Sequence, residues 1–298
     1  MDRLVHRLWQ KSWLIGVLVA GSFAIALPGH TGKTPAGLGS GVTTGGSTLL
    51  PMGGSSLGGG VTEEITLTAA AQQSLNQAAA QGLRELQGTN PSLAAALTTP
   101  GLIDLNGASP VCAPIETEDD TPAQIARDAV AAIANGESVS LTSSQGTLGI
   151  AAPTGTTTAA PARMATSAVF TAQGGTPMVM PLQGSQTQIA NAAGFLAAAF
   201  TACLAPSQVA PFIEMALAGA DYTALVSLFN ATAGLLLLQP QLSSTAVTVN
   251  PTQMEAAIQA YNRILDDSDA ETLNALSQNS NFVTLGRALQ QLRAAVDR

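Results

Sequence analysis

Long uncharged stretches in the second half of the chain frame its organisation. No Asp, Glu, Lys or Arg occurs between Arg163 and Glu214, nor between Asp221 and Glu255. Residues 189–204 set Ile189, Phe195, Leu196, Phe200 and Leu204 on an alanine-rich backbone. Alanine has no helix-propensity cost, so both composition and pattern predict a helix there. Pro206 and Pro211 are expected to interrupt. Phe212, Ile213, Met215 and Leu217 then predict a short second helix with Gly219 as its stop. Asp221 suits the start of a third helix, where its charge meets the positive end of the dipole. That helix is expected to carry Leu225, Val226, Leu228, Phe229 and residues 235–238, and to stop at Pro240. Helices apolar nearly all round are buried in protein or in lipid. Residues 222–238 give 17 uncharged positions and residues 189–204 give 16, against the roughly 20 that a membrane span needs. Asn191, Asn230, Thr201 and Thr232 also lie inside these runs and suit hydrocarbon poorly. The expectation is a protein core covered by the segments on either side, with a membrane component as the alternative.

Amphipathic patterns flank this middle. Thr68 is placed to cap a helix with Leu75, Ala79, Leu83 and Leu86 on one face, ended by Gly88 and Pro91, and residues 92–97 predict another turn or two. Thr121 with Pro122 and Gln124 reads as a capping-box start. Its helix, residues 122–134, points Ile125, Ala129, Val130 and Ile133 inward and stops at Asn135-Gly136. Residues 138–182 change character. Val139 and Leu141 alternate, residues 143–146 turn, and Leu148 and Ile150 alternate again, which predicts a hairpin. Val169-Phe170, Gly174-Gly175 and residues 178–182 predict a second, across a Thr-rich loop at residues 153–161. Two short hairpins are marginal alone, so they are expected to pack on the helices. After them, Asn250 and Pro251 start a helix with Met254, Ala257, Ile258, Tyr261, Ile264 and Leu265 on one face. Ser268-x-x-Glu271 reads as a capping box for a short helix with Leu273 and Leu276. A last helix from Ser280 carries Phe282, Leu285, Leu289, Leu292 and Val296. The predicted fold class is mainly α: a multi-helix bundle over residues 61–298 with a small antiparallel β-hairpin insert at about residues 138–182.

The N-terminus has a different character. Arg3, Arg7 and Lys11 precede a continuous apolar run at residues 13–27, and Ala24-Ile25-Ala26 has the small-x-small arrangement. That is the three-part layout of a secretory signal peptide, so residues 1–27 are expected to be a signal peptide or, uncleaved, an N-terminal anchor. Residues 28–60 hold 12 of the chain's 29 glycines, together with Ser and Thr, and read as a linker. Gly32-Lys33-Thr34 hints at a phosphate loop, but the glycine that motif requires five residues earlier is Leu27 here. The whole chain has a formal charge of −8, and without its first 26 residues −10. With eight scattered bases left after residue 26, no phosphate-tracking surface is expected, so nucleic acid is not an expected partner.

Two cysteines, Cys112 and Cys203, are expected to pair outside the cytosol. The two histidines, His6 and His30, both precede residue 61, as does Lys33, the last lysine. Histidine- and lysine-based nucleophile systems and histidine zinc sites are therefore absent from residues 61–298. Trp9 and Trp13 lie in the leader, leaving Tyr222 and Tyr261 as the tyrosines. Carboxylate chemistry survives, with Glu214 and Asp221 as the pair to consider. The acidic runs Glu116, Glu118, Asp119, Asp120 and Asp266, Asp267, Asp269, Glu271 suggest calcium. Both fit helix-start chemistry better, because a calcium loop begun at Asp267 needs Gly and Glu where Thr272 and Gln278 stand. No catalytic, metal or cofactor-binding residue is assigned and no cofactor is expected.

The tail places Ala260-Tyr261-Asn262-Arg263 before an acidic capping turn and Gln291-Leu292-Arg293-Ala294-Ala295 after it. Over about the last 45 residues it resembles tails of uncharacterised exported proteins from cyanobacteria. The resemblance carries no active site. The expected function is a non-catalytic, exported structural or interaction protein of the cell envelope, periplasmic or extracellular. Its partner would be an envelope protein or surface component, with membrane contact only through an uncleaved N-terminal segment. An exported hydrolase using a carboxylate pair and an integral membrane component are the alternatives.

Overall fold

A computed structural model describes residues 67–98, 102–107, 112, 120–155, 163–240 and 245–296. The segments expected to be a signal peptide or anchor (residues 1–27) and a linker (residues 28–60), and the acidic positions Glu116, Glu118 and Asp119, lie outside them. Nine helices dominate the described residues, which confirms the mainly α class.

Local side chains set most of the helix ends. Helix α1 (Ala69–Thr89) opens where the Ala71 N–H donates to the Thr68 hydroxyl at 3.2 Å, and it buries Leu75, Ala79, Leu83 and Leu86 as predicted. Gly88 lies inside α1. Asn90 ends it, and its side-chain oxygen then accepts from the Leu93 N–H to open α2 (Pro91–Thr98). Helix α3 (Pro122–Ala134) is capped by Thr121. The reciprocal half of the predicted box does not form, because the Gln124 amide turns to Asp128 at the next turn. Gly136, at φ 78°, reverses the chain after α3.

The β region is larger than two hairpins. Strands β1 (Val139–Ser143), β2 (Gly146–Ile150), β3 (Thr154–Gly155), β4 (Met164–Ala172) and β5 (Met178–Gly184) form one five-stranded antiparallel sheet. The nine-residue β4 fuses the two predicted hairpins. It pairs with β2 (Leu148 opposite Phe170), with β3 (Thr154 opposite Ala165) and with β5 (Val169 opposite Val179). Gly146 makes this approach possible: a Cβ there would lie 2.0 Å from the Thr171 carbonyl oxygen. Leu141, Leu148, Ile150, Ala168 and Leu182 line the buried face. β5 is an edge strand containing Pro181, a residue tolerated in sheets where no further strand needs its N–H.

The uncharged middle forms α4 (Gln186–Thr201), α5 (Pro206–Leu217) and α6 (Tyr222–Thr232). Ser185 and Gln188 close a reciprocal capping box on α4. Pro206 marks the predicted interruption, since α4 stops at Thr201 and α5 begins at Pro206, where a missing N–H costs nothing, whereas Pro211 sits within α5 and does not break it. Gly219 ends α5 at φ 105°, and Asp221 accepts from the Thr223 and Ala224 N–H groups to start α6. The prediction failed beyond Thr232. Gly234, at φ 69°, turns the chain, and residues 235–238 do not continue the helix. Strand β6 (Leu236–Pro240) instead pairs antiparallel with β7 (Thr245–Val249) in a second, two-stranded sheet. A run of leucines has no period to separate strand from buried helix.

Helices α7 (Pro251–Asp267), α8 (Ala270–Gln278) and α9 (Ser280–Val296) complete the fold. Asn250 caps α7 as predicted. The cap of α8 is Asp269, which accepts from the Thr272 N–H at 2.8 Å, while the Ser268 hydroxyl donates backward to the Ile264 carbonyl.

The core centres on Phe195, Phe212 and Phe229, one from each of α4, α5 and α6, all fully buried. Phe195 stacks on Phe212 at 6.0 Å between centroids, and Phe229 meets Phe212 edge-on at 5.1 Å. Phe200 meets Phe170 edge-on and joins α4 to the sheet. α4 also packs along α3, α7 along α6, and α1 along α9 and β7. No helix among the described residues is long and apolar enough to cross a membrane.

Amides do much of the tying in this charge-poor chain. The Asn230 side chain accepts from the Ile103 N–H and donates to the Ile103 carbonyl, both at 2.8 Å. On α1, Gln72 donates to the Val249 carbonyl at 2.9 Å while Asn76 accepts from the Val249 N–H at 3.0 Å. Gln253 and Gln186 donate to the carbonyls of Ala233 and Ala134.

Candidate functional site

The cysteine pair is the one sequence-predicted site that the structure assembles. Cys112 and Cys203 form a disulfide, with Cα atoms 5.3 Å apart and a sequence separation of 91. Cys112 is buried, and its N–H donates to the Thr201 carbonyl at 2.9 Å, so the backbone already holds it against the end of α4. Cys203 occupies a glycine's position. It follows the last turn of α4 at φ 64°, the left-handed region, and is the single non-glycine there among the described residues. Its N–H bonds to the Phe200 carbonyl and that of Leu204 to the Ala199 carbonyl. The same pair of reverse bonds closes α3 and α5, with Gly136 and Gly219 in the corresponding place. A left-handed residue with a Cβ costs about 1–2 kcal/mol. Closing a loop of this length contributes about 4.6 kcal/mol on the chain-entropy model. The crosslink outweighs the strain, so the pair acts as a structural lock.

Each candidate carboxylate is engaged in hydrogen bonds of its own. Asp221 is consumed as the α6 cap, its oxygen also accepting from the Thr223 hydroxyl. Glu214 accepts from the side-chain amide of Asn281 on α9, which in turn accepts from the Asn90 amide. That relay joins α5, α9 and the α1–α2 junction, and Asn281 is buried within it. Asp269 is exposed, and the Thr272 N–H it accepts holds its carboxyl below the usual range. Burial, then the charge of Asp221, raises the Tyr222 hydroxyl, with Arg127 opposing. Burial raises that of Tyr261, which stacks on Phe282 at 4.3 Å. Among the described residues no three His, Cys, Asp or Glu side chains are grouped to hold a metal.

A groove of about 400 Å³ runs between α1 and α9, and no local pattern announces it. It is lined by the polar Ser74, Gln77, Gln81, Glu85 and Gln291 and by the small residues Ala78, Gly82, Ala294 and Ala295. The inner end meets a small apolar recess walled by leucines of α1, α2, β6 and α9. A shallower depression of about 170 Å³ lies between α3 and β1, with Asp120 and Asp128 beside it. Gln77 and Gln81 are one helical turn apart, a spacing visible in the sequence, but nothing local identifies α9 as the opposite wall.

No family model, curated protein or solved structure matches this chain.

Proposed function

We propose that this chain is an exported, non-catalytic structural or interaction protein of the cell envelope, its helices acting as a multi-helix bundle that carries the sheet. In this reading residues 1–27 are a signal peptide or anchor, and residues 28–60 are a spacer giving the folded domain reach. The observation that carries the proposal is the Cys112–Cys203 disulfide at a position where glycine would relieve strain. A strained helix stop is worth keeping where a crosslink forms and persists, which is an oxidising compartment. One further feature agrees with it: the three-part layout of residues 1–27. The carboxylate-pair alternative has no support from geometry, because Glu214 and Asp221 are each engaged in structural hydrogen bonds.

The test is fractionation of cells making the full-length chain, with thiol counting under denaturation. The expected result is protein in the periplasmic or medium fraction with no free thiol. Cytoplasmic protein with two free thiols would overturn the proposal.

A further inference from the structure

We propose that Asn106 is a site of spontaneous deamidation through an intramolecular succinimide, and that the fold shields the chain's other Asn-Gly pair, Asn135-Gly136, from the same reaction. The inference concerns a covalent modification and does not depend on the compartment or role proposed above.

An asparagine followed by glycine is prone to this chemistry because glycine has no Cβ to hinder its nitrogen or to restrict its backbone. The Gly107 nitrogen bonds to the side-chain carbonyl carbon of Asn106. The bond from that carbon to the amide nitrogen breaks, and ammonia leaves with the proton that the Gly107 nitrogen gives up. Water then opens the succinimide at either carbonyl. Breaking the new bond to the side-chain carbonyl restores the original backbone, now with aspartate. Breaking the main-chain bond leaves isoaspartate, whose backbone runs through the side chain. One water is consumed and one ammonia released, with no change of oxidation state. The reaction requires a nitrogen free to lose its proton and a backbone free to bring it to the side chain.

The structure separates the two pairs on that requirement. Asn106 is exposed, in a turn where Leu102 and Asp104 are exposed as well. Its own N–H donates to Asp104 Oδ1 at 2.9 Å, which fixes the entry to the turn. Among the described residues no hydrogen bond engages the Gly107 N–H or the Asn106 side chain. Asn135 is instead the C-cap of α3. Its N–H donates to the Ala131 and Ala132 carbonyls, the Gly136 N–H to the Ile133 carbonyl at 3.0 Å, and the Glu137 N–H to the Ala132 carbonyl at 2.8 Å. The nucleophile is engaged there, and freeing it means opening the end of the helix. Asn279, followed by the small Ser280, is also held, since its side-chain oxygen accepts from the Phe282 N–H at 2.9 Å. At Asn106 the product places a new carboxylate two residues from Asp104, in a chain that already stands at −8.

The test incubates the full chain, oxidised and folded, in mildly alkaline buffer. Both pairs are followed by peptide mapping and mass spectrometry, with electron-transfer fragmentation to tell isoaspartate from aspartate. Conversion at Asn106 should outrun that at Asn135 by about tenfold or more, because the hydrogen bond from Gly136 must open before its nitrogen can attack. In denaturant the two rates should come together. Gly107→Ala should slow conversion at Asn106 by about tenfold or more, since a Cβ then hinders the nitrogen, with Asn135 in the same sample as the internal reference. Equal conversion of the two pairs in the folded chain would overturn the proposal. So would conversion at Asn106 that is about tenfold or more slower in the folded chain than in denaturant, which would show the turn to be held shut. An Asn106 rate untouched by Gly107→Ala would exclude the succinimide route.

Discussion

Replacing the disulfide in two ways separates two energies that the bond combines. In Cys112→Ala/Cys203→Ala the crosslink is gone and a Cβ remains at φ 64°. The 91-position separation predicts a loss of about 4.6 kcal/mol from restored chain entropy. In Cys112→Ala/Cys203→Gly the crosslink is also gone, but the left-handed residue no longer has a Cβ. Relief of strain returns about 1–2 kcal/mol, and the greater freedom of glycine in the unfolded chain takes back about 0.4–1 kcal/mol. The glycine variant should therefore be the more stable of the two, by up to about 1.6 kcal/mol, although both are far less stable than the oxidised protein. Urea unfolding followed by far-ultraviolet circular dichroism measures this, with the midpoints compared at equal denaturant dependence. A glycine variant less stable than the alanine variant would refute the assignment of strain to Cys203. A loss below about 1 kcal/mol on removing the bond would refute its role as a lock.

Three further outcomes are expected. Asn230→Leu strands the N–H and carbonyl of buried Ile103 and should lower stability by about 2–4 kcal/mol in thermal or urea unfolding; a loss under about 1 kcal/mol would show that other groups satisfy Ile103. The Asp269 carboxyl is held low in the fold, so its contribution is complete above its unfolded value near pH 4 and is lost as pH falls through the folded value. The stability of Asp269→Asn should therefore fall less steeply than that of the parent below about pH 4, and parallel pH profiles would contradict the cap. Pro181→Val restores an N–H to the edge strand β5, where Val179 is 62 % exposed, and should promote association on size-exclusion chromatography; an unchanged elution volume would show that the edge is protected by other means.

How far the residues announced the structure depends on the range of the interaction. Thr68, Thr121, Asp221 and Asn250 cap the helices predicted for them, because a cap is made by a side chain and N–H groups two or three positions on. The burial of the middle was equally readable from its lack of charge. The failures involve distant partners. The β2–β4 pairing joins residues that nothing local connects, so one sheet looked like two hairpins. Residues 235–238 are apolar in either state, and their strand character is fixed by β7 and the turn at Gly234. The disulfide was predicted as a pair, whereas its left-handed cysteine was not, since the helix stop was expected at the prolines that follow. The groove went unseen for the same reason: among the described residues, one wall is the first helix and the other is the last.

The packing of α1 on α9 and β7 has a consequence for the order in which the chain becomes a protein. The inward stripe of α1, Leu75, Ala79, Leu83 and Leu86, leaves the ribosome early, and two of the surfaces that shelter it are made near the end. Synthesis adds roughly 5–20 residues per second. On that scale α1 waits ~10–40 seconds before residue 296 exists, with its leucines in want of cover. A chain cut short before α9 leaves that stripe without one of its shelters, and such a fragment is a natural target for chaperones and proteases. Among the described residues α9 is the last helix made, and its arrival supplies that cover.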